Sequence, residues 1–229
     1  TNEEAFVGSN PFPSADEIKQ RAYGVYSMQN RIVTKEDFIA AAYSMPPNFG
    51  TIKKVNVLQD SDSFNQRNIN LYVMSANSLG NLVQANTTIK NDLKTYLQRL
   101  KMINDSIDIL DANIINLRIS FKIVAFPSVN KFSALDIAKQ DVASYFSARN
   151  HYDIGEPFSV TDVFAVLKNS SAVLDVTEVD VTVQSGGDYA DSNFIINNNK
   201  TADGRKIICP ENAVFEIKYP NSDIAGTVA

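Results

Sequence analysis

The sequence predicts an α+β fold, in which helices cover one face of antiparallel strands. Three observations support this prediction. Residues 114–126 alternate between apolar and polar side chains, which is typical of a strand with one buried face. Thr34 has the features of a helix N-cap. Two strand-like runs, 51–58 and 68–74, are separated by turn-forming residues at 60–63, so we expect them to form an antiparallel pair.

The first predicted α+β unit covers residues 14–112. Its first helix begins at a capping box formed by Ser14 and Glu17. Its second begins at Thr34, whose hydroxyl can accept from free backbone N–H groups, and Asp37 suits the positive end of the helix dipole. The other elements expected in this unit are strands at 51–58, 68–74 and 107–110 and a helix at 87–100.

The second predicted α+β unit covers residues 113–185. Its elements are a strand at 114–126, a helix at 133–148, a helix from Ser159 or Thr161 to Leu167, and a strand at 173–184. Residues 186–229 are predicted to form a C-terminal β-meander or hairpin. Its strands would lie at 194–196, 206–209 and 214–219, with a frayed end after Pro220. Residues 1–13 have no periodic pattern and are predicted to be a linker or extended arm.

Composition excludes several classes of protein. The chain has 229 residues, 44% of them hydrophobic, which is enough for a core without a disulfide or metal. A net charge of −5 with scattered Lys and Arg argues against binding to nucleic acid or to an anionic membrane surface. No apolar run is long enough for a membrane span. Because the first residue is Thr1, we expect the chain to be a fragment or a processed product.

Two residues are candidates for a catalytic group. His151 is the single histidine, and only one carboxylate, Asp153, lies beside it in sequence. A loop histidine without a catalytic role is therefore expected. Cys209 is the single cysteine and lies in an apolar run, so we expect it to behave as a small hydrophobic side chain.

Carboxylates and glycines give no cofactor or metal motif. Asp105, Asp108 and Asp111 are spaced by three residues, but the order of ligands in a calcium loop is missing. Asp60 and Asp62 are likewise predicted to be solvated loop charges. The pair at 186–187 lacks the Lys and Ser or Thr of a phosphate-binding loop, so it is predicted to form a turn. We therefore predict no catalytic residue, metal, cofactor or small-molecule substrate.

Five motifs occur in an order that resembles a known family. The first is the segment at 31–42, Arg-Ile-Val-Thr-Lys-Glu-Asp-Phe-Ile-Ala-Ala-Ala, followed by Met-Pro-Pro at 45–47. The others are the segments at 70–73, 93–97, 115–124 and 158–176. Together they resemble the baseplate J-like family of contractile-tailed phages, and within it the C-terminal part of the baseplate wedge proteins of T-even-type phages. Pro47 stands where the family usually has glycine.

The resemblance implies a structural role without catalysis. Members of the family dimerise, join other wedge proteins, and link neighbouring wedges into the inner ring around the tail hub. It implies assembly in the host cytoplasm and a location in the tail baseplate of the virion. The alternatives are a receptor- or glycan-binding tail module, for which the aromatic residues Tyr189 and Phe194 would be the contacts, and a hydrolase that uses the Asp105, Asp108 and Asp111 carboxylates.

Two regions are candidate interfaces. The amphipathic helix at 15–29 is predicted to pack either on a partner or within its own domain, and its candidate contacts are Ile18, Val25 and Tyr26. The C-terminal segments at 194–196, with Phe194, Ile195 and Ile196, and at 214–219 are predicted either to provide a strand edge or an apolar patch, or to pack within the same chain.

Overall fold

The computed structural model describes residues 15–46, 49–60, 67–77, 80–148 and 152–228. The chain divides into two compact units, residues 1–112 and 113–229. Both combine helices with β-sheets, so the predicted α+β class is confirmed. The predicted arm at 1–13, most of the turn at 60–63, Pro47 and His151 lie outside the described residues.

The first unit is built on a mixed sheet. Its elements are α1 (Ala15–Met28), α2 (Lys35–Tyr43), β1 (Lys54–Gln59), β2 (Asn68–Ala76), β3 (Leu82–Val83), α3 (Thr87–Gln98) and β4 (Ser106–Asp111). Strand β1 pairs antiparallel with β2, as predicted, with Val55 opposite Val73. Strand β4 pairs with the other side of β2 in parallel, and the short β3 extends that side in antiparallel fashion. Phe38, Leu93 and Leu97 join the helices to the apolar face of the sheet in one buried core.

Helix α2 begins with a reciprocal capping box. The Thr34 hydroxyl accepts a hydrogen bond from Asp37 N at 3.2 Å, and Asp37 Oδ2 accepts from Thr34 N at 2.9 Å. Val33 N donates to the same carboxylate oxygen at 3.1 Å. Burial raises the pKa of Asp37, but these hydrogen bonds outweigh it and hold that pKa below its ordinary value. The cap therefore depends on the ionised carboxylate.

Replacing Asp37 with asparagine is expected to lower the free energy of unfolding by about 0.5–2 kcal/mol at neutral pH. Because the folded pKa lies below the ordinary value of about 3.9, this contribution is present above pH ~4 and is lost as pH falls through the folded pKa. Urea unfolding of both proteins across the acidic range measures the difference. Glu36→Gln, an exposed change in the same turn, serves as the control. A difference that persists undiminished at the lowest pH would contradict this account.

The second unit is built around one long strand. Its elements are β5 (Asn113–Ala125), α4 (Lys131–Ala148), β6 (Phe158–Ser159), α5 (Val160–Asn169), β7 (Val173–Gln184), β8 (Lys206–Ile207), β9 (Ala213–Glu216), α6 (Pro220–Asp223) and β10 (Ile224–Val228). Strand β7 pairs antiparallel with one side of β5, and β9 and β10 pair in parallel with the other. The predicted alternation in β5 is confirmed from Leu117 to Ile123, since Ile119 and Phe121 are buried while Arg118 and Lys122 are exposed. Asn116, at a polar position of the alternation, is buried instead.

The C-terminal strands do not form the predicted meander or hairpin. Strands β9 and β10 pair with the two halves of β5 in succession, and β8 pairs with β6. Residues 194–196 are not a strand, and a short 3-10 helix covers Ile196–Asn198. The end after Pro220 is not frayed, because Pro220 opens α6, where its missing N–H costs nothing. The prediction was wrong because strands this short have too few residues for their side-chain alternation to indicate which strand they pair with.

Candidate interaction surfaces

Helix α1 packs against its own unit along one side. A Cβ atom on Gly24 would lie 2.9 Å from the Cβ of Ala40, so the two helices approach closely there. Met28 is buried, and the guanidinium of Arg21 lies 5.1 Å from the ring centroid of Tyr43. This cation–π contact and the small residues fix α1 on α2.

The exposed part of α1 carries apolar side chains among polar ones such as Lys19. It includes the predicted contacts Ile18, Val25 and Tyr26, and Tyr26 is 85% exposed. Ala22 and Tyr23 are also exposed, Tyr23 by 78%. The sequence prediction missed Tyr23, although its spacing of three residues from Tyr26 indicates a shared face. We call Ile18, Ala22, Tyr23, Val25 and Tyr26 the outer face of α1.

The second predicted interface segment is divided between the core and the surface. The Phe194 ring contacts Phe215 edge to face at 5.7 Å between centroids, so Phe194 anchors the segment to the unit. Ile195 is exposed and Ile196 is half-buried. Asn199 Nδ2 donates to Ile195 O, and Asn199 O accepts from Ile208 N, which brings exposed Ile208 into the same region.

We call Ile195, Ile196 and Ile208 the C-terminal apolar patch. Ile208 was not among the predicted contacts, since it comes close to Ile195 through hydrogen bonds of Asn199 between two distant segments. The aromatic residues that suggested glycan contacts have internal partners. The Tyr189 hydroxyl donates to Asp223 at 2.5 Å, and that hydrogen bond together with burial raises the pKa of Tyr189.

The spaced carboxylates fasten a helix to a strand. Lys90 Nζ lies 2.8 Å from Asp111 Oδ2, and Lys94 Nζ lies 3.4 Å from Asp108 Oδ1. Both lysines are on α3 and both aspartates are on β4. Within the described ranges, no three His, Cys, Asp or Glu side chains converge as a metal site. Asp108 and Asp111 are therefore partners of lysines on α3 in this structure.

Cys209 is buried. Its thiol lies 3.2 Å from the carbonyl oxygen of Ala213, and burial raises the pKa of Cys209 to about 12. The prediction that it acts as a small hydrophobic side chain is confirmed by this burial. Gly186 and Gly187 both have positive φ angles, and Gly186 bridges to Tyr189, so the pair forms a turn as predicted.

We expect Cys209 to resist alkylation in the folded protein. At pH 8 a thiol with a pKa of about 12 has on the order of one thiolate per ten thousand molecules, and its side chain is shielded. Iodoacetamide labelling followed by mass spectrometry, with and without guanidinium chloride, tests this. Complete labelling of the native chain on the timescale of the unfolded control would contradict it.

No helix in the described parts of the chain is long and apolar enough to cross a bilayer. No family model matches the chain, and no curated protein sequence matches it. Solved structures similar to it include a chain in the "Cryo-EM structure of the anti-feeding prophage (AFP) baseplate, 6-fold symmetrised". The TM-score is 0.57 at 12% identity. The match covers 93% of this chain and 43% of that one, so this chain has the fold of less than half of its structural neighbour.

Proposed function

We propose that the chain is a structural, non-enzymatic component of a contractile-tail baseplate in a phage virion. In this role it dimerises, contacts other wedge proteins, and joins neighbouring wedges into the inner ring around the hub. This assembly takes place in the host cytoplasm. The observation that carries the proposal is the fold shared with a baseplate chain across 93% of the present sequence. The five motifs in family order support the same role from the sequence.

The exposed apolar surfaces support assembly. The outer face of α1 belongs to the first unit, and the C-terminal apolar patch belongs to the second. A protomer that joins two neighbours in a ring needs more than one contact surface. Exposed aromatic and branched aliphatic side chains supply the apolar burial that such contacts require.

Assembly tests the proposed function directly. Light scattering of the purified chain should show a dimer, and mixing with the other wedge components of the same phage should give larger complexes. Antibodies against the chain should label the baseplates of virions in electron micrographs. A strict monomer at high concentration, together with unlabelled baseplates, would refute the proposal.

Charged substitutions test which surface forms the dimer. We expect Ile195→Asp combined with Ile196→Lys to raise the dimer dissociation constant at least tenfold if the C-terminal apolar patch is buried in the dimer. The combination Ile18→Asp with Tyr26→Asp makes the same test of the outer face of α1. Sedimentation equilibrium measures both. Gln98→Asp and Thr177→Asp, at exposed positions that belong to neither surface, are the controls. Dimers unchanged in both double variants would exclude both surfaces.

A further inference from the structure

Strand β7 has a regular, open edge. Residues 178–184 pair with residues 116–122 of β5 without interruption. Both register shifts in this pairing lie beyond that stretch, toward the start of β7. Among the residues that the structure describes, no strand pairs with the other side of β7. Its outer side therefore presents backbone N–H and C=O groups along seven regularly paired residues.

Some of the usual protections against pairing are absent from this stretch of the edge. Proteins shield strand edges with charged side chains, proline, bulges or a covering element. The stretch at 178–184, Glu-Val-Asp-Val-Thr-Val-Gln, contains neither proline nor lysine. Its acidic side chains, Glu178 and Asp180, point to the exposed face. The backbone geometry thus permits another strand to pair with the outer edge of β7. The side chains at 178–184 determine which sequences can do so.

The two faces of the edge call for different side chains. On the core side, Val181 is buried while Val179 and Val183 are only half-buried, so an added strand with apolar residues would cover them. On the other side, Glu178 and Asp180 favour positively charged neighbours. Apolar residues alternating with Lys or Arg satisfy both faces at the two-residue period of a strand.

The inner neighbour of β7 already has this pattern. In β5, Arg118 lies opposite Thr182 and Lys122 lies opposite Glu178, while Ile119 and Phe121 face the core. A second copy of β7 fits poorly, because antiparallel self-pairing about Val179 would place Glu178 opposite Asp180, and self-pairing about Asp180 would place the two Asp180 carboxylates opposite each other. Like charges placed across two strands are destabilising.

We propose that residues 178–184 form a docking edge for an extended segment of a partner protein in which apolar residues alternate with lysine or arginine. The segment adds a strand to the sheet of the second unit through backbone hydrogen bonds. Glu178 and Asp180 select its charge, and Val179 and Val183 select its apolar side chains. This interaction is independent of the baseplate role and of the two apolar surfaces described above.

A synthetic peptide provides the test. The probe is fluorescein-labelled Thr-Val-Lys-Val-Arg-Val-Lys-Thr, and its binding to the full chain is measured by fluorescence anisotropy. We expect saturable binding that weakens at about 0.5 M salt, where screening is strong. A peptide with Glu in place of Lys and Arg should bind at least about tenfold more weakly. Hydrogen exchange should show new protection of the amides at 178–184 when the basic peptide is bound.

Charge reversal locates the interaction. Glu178→Lys combined with Asp180→Lys should weaken peptide binding at least about tenfold. The control, Asp16→Lys with Glu36→Lys, makes the same change in net charge on exposed residues of the first unit and should leave binding unchanged. If the reversed variant fails to fold by circular dichroism, Glu178→Gln with Asp180→Asn replaces it. Absence of binding, equal binding of the acidic peptide, equal loss in the control, or unprotected amides would each overturn the proposal.

Discussion

Replacing Gly226 with alanine is expected to lower the free energy of unfolding of the second unit by about 1–3 kcal/mol. Gly226 lies in β10 directly opposite Phe121 of β5. An added Cβ would lie 2.4 Å from Phe121 Cε2 and 2.8 Å from a methyl carbon of Leu135 in α4. Neither the ring nor the helix can yield without disturbing the packing between α4 and the sheet, because protein interiors are close-packed.

Denaturant unfolding monitored by circular dichroism measures this loss. Thr227→Ala, at the exposed neighbouring position, should change stability by less than about 0.5 kcal/mol. Adding Phe121→Leu to Gly226→Ala removes the ring atoms that clash, so the two changes should be less than additive. Full additivity, or an unaffected Gly226→Ala protein, would show that the close approach has no energetic role.

Replacing Asn116 with alanine is expected to destabilise the second unit by about 2–4 kcal/mol. Asn116 is a buried polar residue on β5, and its Nδ2 donates to Glu216 Oε2 on the adjacent β9 at 3.0 Å. Its Oδ1 accepts from Ala190 N at 2.9 Å. The substitution therefore removes one hydrogen bond from a buried carboxylate and the acceptor of a part-buried backbone N–H.

Hydrogen exchange distinguishes this mechanism from a general loss of packing. The amide of Ala190 should lose protection in Asn116→Ala at denaturant concentrations where the rest of the unit stays protected. Ser120→Ala, which removes a longer and exposed hydrogen bond from the same strand, should have a much smaller effect. Equal stability losses for Ser120→Ala and Asn116→Ala would contradict the role assigned to the buried network.

Local features of the sequence predicted the first unit well. The capping box at Thr34 and Asp37 could be predicted locally, since its two residues lie three positions apart in one segment. The pairing of β1 with β2 followed from alternation on either side of a short connection. The parallel pairing of β4 with β2 could not be predicted, because α3 and its connections separate those strands in sequence. Neither strand has a sequence pattern that identifies its pairing partner.

The candidate surfaces were predicted only in part. The pattern of α1 gave an apolar face, but the sequence could not say whether that face was the buried one. Burial was decided by Gly24 and Arg21, which contact Ala40 and Tyr43 of α2 from the other side. Ile208 joined the C-terminal apolar patch through the hydrogen bonds of Asn199, a contact between segments that the sequence predicted as separate strands.

The sequence by itself determined the α+β class, the positions of the main helices and strands, and the buried and exposed faces of β5. These depend on local interactions, caps and side-chain periods, which a short segment specifies alone. The tertiary structure decided the strand order, the placing of β9 and β10 along β5, and which apolar faces and which edge stay open. Those outcomes depend on which of several distant segments pairs with a given side of a strand. The sequence of one segment alone does not determine this, because the contacts join residues far apart in the chain.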